Sequence, residues 1–302
     1  MNLAALAERL GKDKIEYTLQ TPMSHYTSFK IGGPADIFIS VASEEELKTA
    51  LLLCREFDVP FMTVGKGSNL LVSDMGIVGA VIHIAKGLDN IELIDETTVR
   101  CGAGASLSAL CVFCKEHGLS GLEFAFGIPG SVGGAMFMNA GAYGGEMKDA
   151  AVSARYITPE GKIGEYKGEE LSLSYRKSVF TGTDNVVLSA DFSLKPDNIE
   201  DIKARMDDYM ERRKTKQPLS FPSAGSVFKR PEGYFAGALI EQSNLKGYSV
   251  GGAQVSEKHA GFIINVGGAS CDDVTNLMAH IVDTVQKNFG VILEPEIIKI
   301  GR

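Results

Sequence analysis

The chain has 302 residues, 44% of them hydrophobic, and a formal net charge of -8, which describes a folded globular protein of two or three domains. The acidic balance excludes a general nucleic-acid or membrane-surface binder, since both need a basic field, so any anionic ligand must meet a local cluster of cations. Five cysteines, an odd number without framework spacing, suit a reducing compartment.

Residues 1–10 have amphipathic helical spacing with acid and base mixed, and they lack the apolar run of a signal peptide. Nothing elsewhere is apolar for long enough to span a bilayer, so the expected location is the cytoplasm, with no membrane partner. After a polar and aromatic stretch ending in Gly32-Gly33, residues 35–41 read as a strand. Ser43 and Glu46 have capping-box spacing, each satisfying the other's N–H, and start a helix that reaches about residue 57. A short apolar strand over 61–64 runs into Gly65-Lys66-Gly67-Ser68-Asn69-Leu70, so strand, helix and strand follow one another in the first module.

From residue 81 to 194 the signal is mostly strand, at 81–84, 91–94, 98–101, 152–157 and 186–192, interrupted by a helix over 107–117 that Gly118 stops. That pattern makes the second module α+β. Cys111 and Cys114 have redox or half-zinc spacing but fall inside the helical pattern with no second pair, so they read as core thiols, and no metal is expected. Asn198 caps a long helix whose end carries Arg212-Arg213-Lys214-Thr215-Lys216, cations that complement the helix dipole. The third module continues with a helix near 234–242, a turn at Gly251-Gly252 and a strand over 262–265. It closes with a helix capped by Ser270 and Asp273 and a last strand over 291–300. The domains are therefore read as 1–85, 86–196 and 197–302, with the closing strand open to joining the first.

Gly127-Ile128-Pro129-Gly130-Ser131-Val132-Gly133-Gly134-Ala135, running on to Asn139-Ala140-Gly141-Ala142-Tyr143-Gly144, has so few side chains that its backbone must pass close to something. Successive exposed N–H groups in such a loop suit a diphosphate. Residues 65–70 and Gly102-Ala103-Gly104-Ala105 each resemble a dinucleotide fingerprint but lack its third glycine, and no Walker A sequence occurs. Several phosphate-cradling loops without a standard nucleotide fold point to a large dinucleotide held between two subdomains, and FAD fits best.

Three polar positions ask for a reason. Arg176, in Tyr175-Arg176-Lys177-Ser178, lies just before a strand, where it could reach a ligand. Ser226, in Ala224-Gly225-Ser226-Val227-Phe228-Lys229, follows a glycine as a side chain presented from a turn does. Glu296 alternates with Glu294 on a strongly apolar strand, so one carboxylate faces inward and needs a partner, for which Arg176 is a candidate.

These stretches, with Ser28-Phe29-Lys30-Ile31-Gly32-Gly33-Pro34-Ala35 and Leu293-Glu294-Pro295-Glu296, occur in family order over essentially the whole chain. The sequence thereby resembles the bacterial UDP-N-acetylenolpyruvoylglucosamine reductases, the MurB family. The resemblance implies an α+β fold with two FAD-binding subdomains of vanillyl-alcohol-oxidase (PCMH) type and a C-terminal α+β substrate-binding domain. It implies non-covalent FAD against Gly65, Lys66, Gly67, Ser68, Asn69 and Leu70, and against Gly130, Ser131, Gly133, Gly134, Asn139 and Ala140. NADPH is the implied hydride donor, and the small-molecule substrate is UDP-N-acetylglucosamine enolpyruvate, reduced to UDP-N-acetylmuramate for the cell wall. By the same match Arg176 and Glu296 stabilise the charge that develops on the enolpyruvyl group, and Ser226 delivers the completing proton. Tyr175, Arg213, Lys216, Lys229 and Lys258 are the candidates for substrate binding, with Arg213 suited to bidentate phosphate recognition.

Two departures qualify the match. The connection from Arg176 to the next strand is short, as in the subtype without an inserted tyrosine loop, and Arg230 stands where many members have Asn. A sugar or aldonolactone oxidase of the same cofactor fold would account for the glycine loops but not for Ser226 with Glu296, and His25 is the only histidine near the first flavin segment for a covalent tether. A nucleotide-sugar-binding protein without chemistry would not take up FAD.

Overall fold

The structure is a computed structural model that describes residues 1–84 and 86–302. The expected boundary at residue 85 lies outside the described residues. Seven α-helices are named here: α1 (Leu3–Lys12), α2 (Glu44–Glu56), α3 (Leu107–Glu116), α4 (Val132–Met138), α5 (Ile199–Lys216), α6 (Ala236–Gln242) and α7 (Cys271–Phe289). The chain divides into two compact units, the first of Met1–Leu19, Ile37–Lys66 and Gly79–Glu211, the second of Gln20–Asp36, Gly67–Val78 and Arg212–Arg302.

In the first unit, strands Phe61–Val64 and Ile77–Ile84 pair in parallel, in a four-stranded sheet with Pro34–Val41 and Glu16–Pro22. Helix α2 starts at Ser43, whose hydroxyl accepts from the Glu46 N–H. In return the Glu46 carboxylate accepts from the Ala42 N–H, not from that of Ser43 as the capping box predicts. Five strands form the antiparallel sheet Ile163–Lys167, Ala151–Ile157, Val186–Ser193, Thr98–Gly102, Ile91–Leu93. Val99, Cys101, Ala190 and Phe192 of this sheet share a core with Leu107, Leu110, Cys111 and Cys114 of α3. The two helical cysteines are thus buried core thiols, as expected, and the Cys111 thiol donates to the Leu122 carbonyl at 3.2 Å.

In the second unit, strands Ser223–Ser226, Phe262–Asn265, Ala253–Val255 and Ser249–Val250 make an antiparallel sheet. Helix α7 buries Val274, Leu277, Ile281 and Val285, each one turn from the next, in the same core as Val255 and Ile263. Its capping box of Ser270 and Asp273 forms as predicted, and Gly290 ends it in the left-handed conformation. The closing strand is shorter than predicted. Only Ile298–Ile300 is strand, parallel to Leu70–Val72. Within residues 291–297 only Pro295 is bridged among the described residues, to Phe228, so the backbone meets the 227–229 segment, Lys229 N–H donating to Glu294 O at 2.8 Å and Glu296 N–H to Val227 O at 2.7 Å.

Candidate active site

The glycine stretch at 127–135 is a loop only as far as Ser131, since residues 132–138 form α4. Ser131 caps α4, accepting from the Gly134 N–H at 3.4 Å. The Val132 and Gly133 N–H groups donate to the carbonyls of Ala105 and Ala103, both at 2.9 Å. These three donors therefore serve the fold rather than an anion, which corrects the picture of a run of exposed N–H groups. Glycine at 133 also has a packing reason, because a Cβ there would lie 2.9 Å from that of Ala103. The Gly130 and Ser131 N–H groups find no acceptor among the described residues. Ser131 is only 3% exposed, so these donors fit an anionic group carried by a ligand. Gly65 is held against Ser131, since a Cβ on it would overlap the Ser131 hydroxyl. Burial pushes the nearby His83 imidazole below its ordinary pKa, opposed by a hydrogen bond with the Gly65 backbone and aided by the Lys66 charge.

The loop is anchored from behind. Glu123, 7% exposed, accepts from the Gly121 N–H at 2.8 Å, from Ser120 at 2.8 Å and from Arg205 of α5 at 2.8 and 3.0 Å. Burial works against its charge, but these bonds prevail and hold its pKa below the ordinary carboxylate value. The ring of the next residue, Phe124, lies against Gly145, where a Cβ would come within 2.5 Å of it. Tyr209, also on α5, stacks on Tyr143 at 4.9 Å between ring centroids. Neither α5 contact is visible in the sequence, because nothing local pairs residue 123 with 205 or 143 with 209.

Tyr175 and Arg176 form the tip of a two-residue hairpin whose base residues, Ser174 and Lys177, exchange N–H···O=C bonds of 3.0 and 3.1 Å. Arg176 has a positive φ of 57°, and its guanidinium carbon is 5.1 Å from the Tyr175 ring centre. Asn139 is fully buried and caps the end of α4 in the left-handed conformation. Its side-chain amide donates to Glu146 at 2.7 Å and to Ser174 O at 3.0 Å, while its Oδ1 accepts from the Lys148 N–H at 3.0 Å. A residue expected among the cofactor ligands thus uses its carboxamide on protein groups. Ala140 follows it, its N–H bonded to Ala135 O at 2.9 Å.

The second unit holds the remaining expected residues. Ser226 ends strand Ser223–Ser226 opposite Phe262, and its hydroxyl points to Phe228 O at 3.3 Å. Glu296 is joined to the neighbouring residue Val227 by its own N–H, and its carbonyl accepts from Asn69 Nδ2 at 3.1 Å. The backbone thereby ties Glu296 to the residue that follows Ser226, and Asn69 holds the Glu296 carbonyl. Glu296 is half-buried, whereas Glu294 is exposed and pairs with Lys229 at 3.1 Å. Gly67 and Ser68 donate no N–H bond to any described residue, and Leu70 begins the strand Leu70–Val72. Arg213 is buried and its Nη1 reaches Gln217 at 3.5 Å. Lys216 is exposed, and Lys258 donates to Lys214 O, satisfying a carbonyl of the last turn of α5.

Residues 35–166 match the family described as FAD binding domain. Together with the α+β architecture and the two free loop donors, this defines a protein of the FAD-binding class. Residues 217–300 match the family described as UDP-N-acetylenolpyruvoylglucosamine reductase, C-terminal domain. The chain is 50% identical over 290 residues to the UDP-N-acetylenolpyruvoylglucosamine reductase of Lachnoclostridium phytofermentans, covering 94% of this chain and 93% of that one. It is 47% identical over 283 residues to that of Syntrophomonas wolfei, covering 94% of each. A crystal structure of UDP-N-acetylenolpyruvylglucosamine reductase (MurB) from Thermus caldophilus superposes with a TM-score of 0.80 at 37% identity, over 94% of this chain and 98% of that one. The chain belongs to the UDP-N-acetylenolpyruvoylglucosamine reductase family.

Proposed function

We propose that this protein reduces UDP-N-acetylglucosamine enolpyruvate to UDP-N-acetylmuramate, with FAD bound non-covalently and NADPH as hydride donor, and that residues 197–302 form its substrate-binding domain. The observation that carries the reading is the 2.7 Å bond from Glu296 N–H to Val227 O, which ties Glu296 to the residue next to Ser226. A proton donor and an acid held on adjacent backbone segments are what addition of a hydride and a proton across a double bond needs.

Gly65, Gly130, Ser131 and the neighbouring turns would hold the cofactor through backbone donors. Bound FAD supplies the hydride for the terminal carbon of the enolpyruvyl double bond. Negative charge then develops on the neighbouring carbon and the carboxylate of the substrate. Arg176 and Glu296 are assigned to that charge. The Ser226 hydroxyl gives its proton to the neighbouring carbon, a step that a strongly basic enolate makes feasible for a weak acid away from water. Arg213, Lys216 and Lys229 are assigned to the anionic parts of the substrate, Tyr175 to packing against it, and Lys258 to supporting that basic segment through Lys214.

Ser226→Ala tests the reading by stopped-flow absorbance of the flavin band. Reduction by NADPH should stay within about twofold, while reoxidation by UDP-N-acetylglucosamine enolpyruvate slows about 10²- to 10⁴-fold. Equal loss of both half-reactions would show that Ser226 shapes the site and does not donate the proton.

A further inference from the structure

Arg176 has a left-handed backbone, at φ 57°. Such a conformation is strained for a side-chain-bearing residue and persists only where the surroundings over-determine it. Two side-chain hydrogen bonds supply that constraint. Asn139 Nδ2 donates to Ser174 O at 3.0 Å, at one base residue of the hairpin. Next to the other base residue, Ser178 Oγ donates to Phe137 O of α4 at 2.8 Å. The amide orientation of Asn139 is fixed by its partners, because its NH2 group meets two acceptors and its oxygen meets a backbone N–H.

We propose that Asn139 is a positioning residue for Arg176: its carboxamide ties the end of α4 to the hairpin and holds the guanidinium where the reaction needs it. This rests on the role assigned to Arg176 above. Asn139 serves two purposes that no other common residue combines. It adopts φ 43° at little cost, as Asn does at helix ends, and it carries a donor that reaches Ser174. The same side chain also binds Glu146 at 2.7 Å, so the 139–148 segment and the hairpin share one buried clasp. Because Ser131 is the N-cap of α4, the donors of the candidate cofactor loop and the catalytic guanidinium are set from opposite ends of one seven-residue helix.

The test is Asn139→Gly, which keeps the backbone conformation accessible and removes the clasp. The flavin spectrum and reduction by NADPH are expected within about twofold of the parent, while reoxidation by UDP-N-acetylglucosamine enolpyruvate slows about 10- to 100-fold, the scale of a misplacement near 1 Å. The double variant N139G/R176A should reoxidise no more slowly than R176A alone. Independently of turnover, hydrogen exchange of the holoenzyme should show the Lys177 amide losing protection, while the strand Val186–Ser193 keeps it. Multiplicative effects in the double variant, or a Lys177 amide still protected in N139G, would overturn the proposal. If R176A leaves reoxidation unchanged, the role given to Arg176 falls, and the clasp then stands or falls on the exchange data alone. Should N139G not fold, Ser178→Ala carries the same tests, with severalfold slower reoxidation and loss of Lys177 protection expected.

Discussion

Gly65→Ala is the sharpest test of the geometry around the candidate cofactor loop. An added Cβ would overlap Ser131 Oγ and stand 3.1 Å from Ser131 Cβ. Ser131 is buried, so its hydroxyl has two ways to yield. It can rotate and give up the helix cap on Gly134, worth about 1 kcal/mol, or the two segments can separate, at an overpacking cost of about 1–3 kcal/mol. A loss near 2 kcal/mol follows, or about 4–8 °C of melting temperature at the 2–4 °C per kcal/mol usual for larger domains. Ser131→Gly alone should cost only a few tenths of a kcal/mol, because Gly is tolerated at a helix cap. The double variant G65A/S131G has lost the obstructing atoms and should melt within about 2 °C of S131G, a coupling of one to two kcal/mol. Differential scanning calorimetry of the four holoproteins, with the flavin-to-protein absorbance ratio of each, measures this. Strictly additive losses would refute the contact between Gly65 and Ser131 as the cause.

Two further outcomes follow from half-buried imidazoles and buried thiols. His83 and His259 both have imidazoles held below their ordinary pKa by burial; the unfolded chain therefore binds more protons once the pH falls below about 6.5. Stability should be full above that value and fall below it, by at most about 1.4 kcal/mol per pH unit for each group. Urea midpoints that stay flat from pH 7 to pH 5, or His83→Gln leaving the slope unchanged, would contradict this. Burial also pushes the Cys54 and Cys114 thiols up to about 12, and all five cysteines are buried. Iodoacetamide at pH 8 should label none of them in the native protein within the time that modifies all five after unfolding, and rapid native labelling of Cys111 or Cys114 would show that α3 is not packed as described.

Most elements were legible because their signals are local. Ser43, Ser270 and Gly290 sit where helix ends need an acceptor or a left-handed residue. Helix α4 was not legible, because Gly133 and Gly134 disfavour helix wherever tertiary packing does not override propensity. Here the close approach to Ala103 requires glycine and Ser131 supplies the cap. The closing strand was overread because alternation over 291–300 is a strand pattern in isolation, while Pro295 and the bonds to residues 227 and 229 decide otherwise. For the site, the motifs name the residues but not how each is used. The resemblance places Asn139 among the cofactor residues, while its side-chain bonds to Ser174 and Glu146 join positions that no spacing rule relates.

The parallel pairing of Ile298–Ile300 with Leu70–Val72 bears on the order in which the two units are made. The first unit needs nothing beyond Glu211, whereas the second takes segments from Gln20 onward and is complete only with its last stretch, Arg212–Arg302. During synthesis, residues 67–78 must therefore wait through more than two hundred further codons for their strand partner. Over that time Leu71 and Val72, fully buried in the finished protein, form an unpaired apolar edge of the kind that chaperones bind and that aggregation exploits.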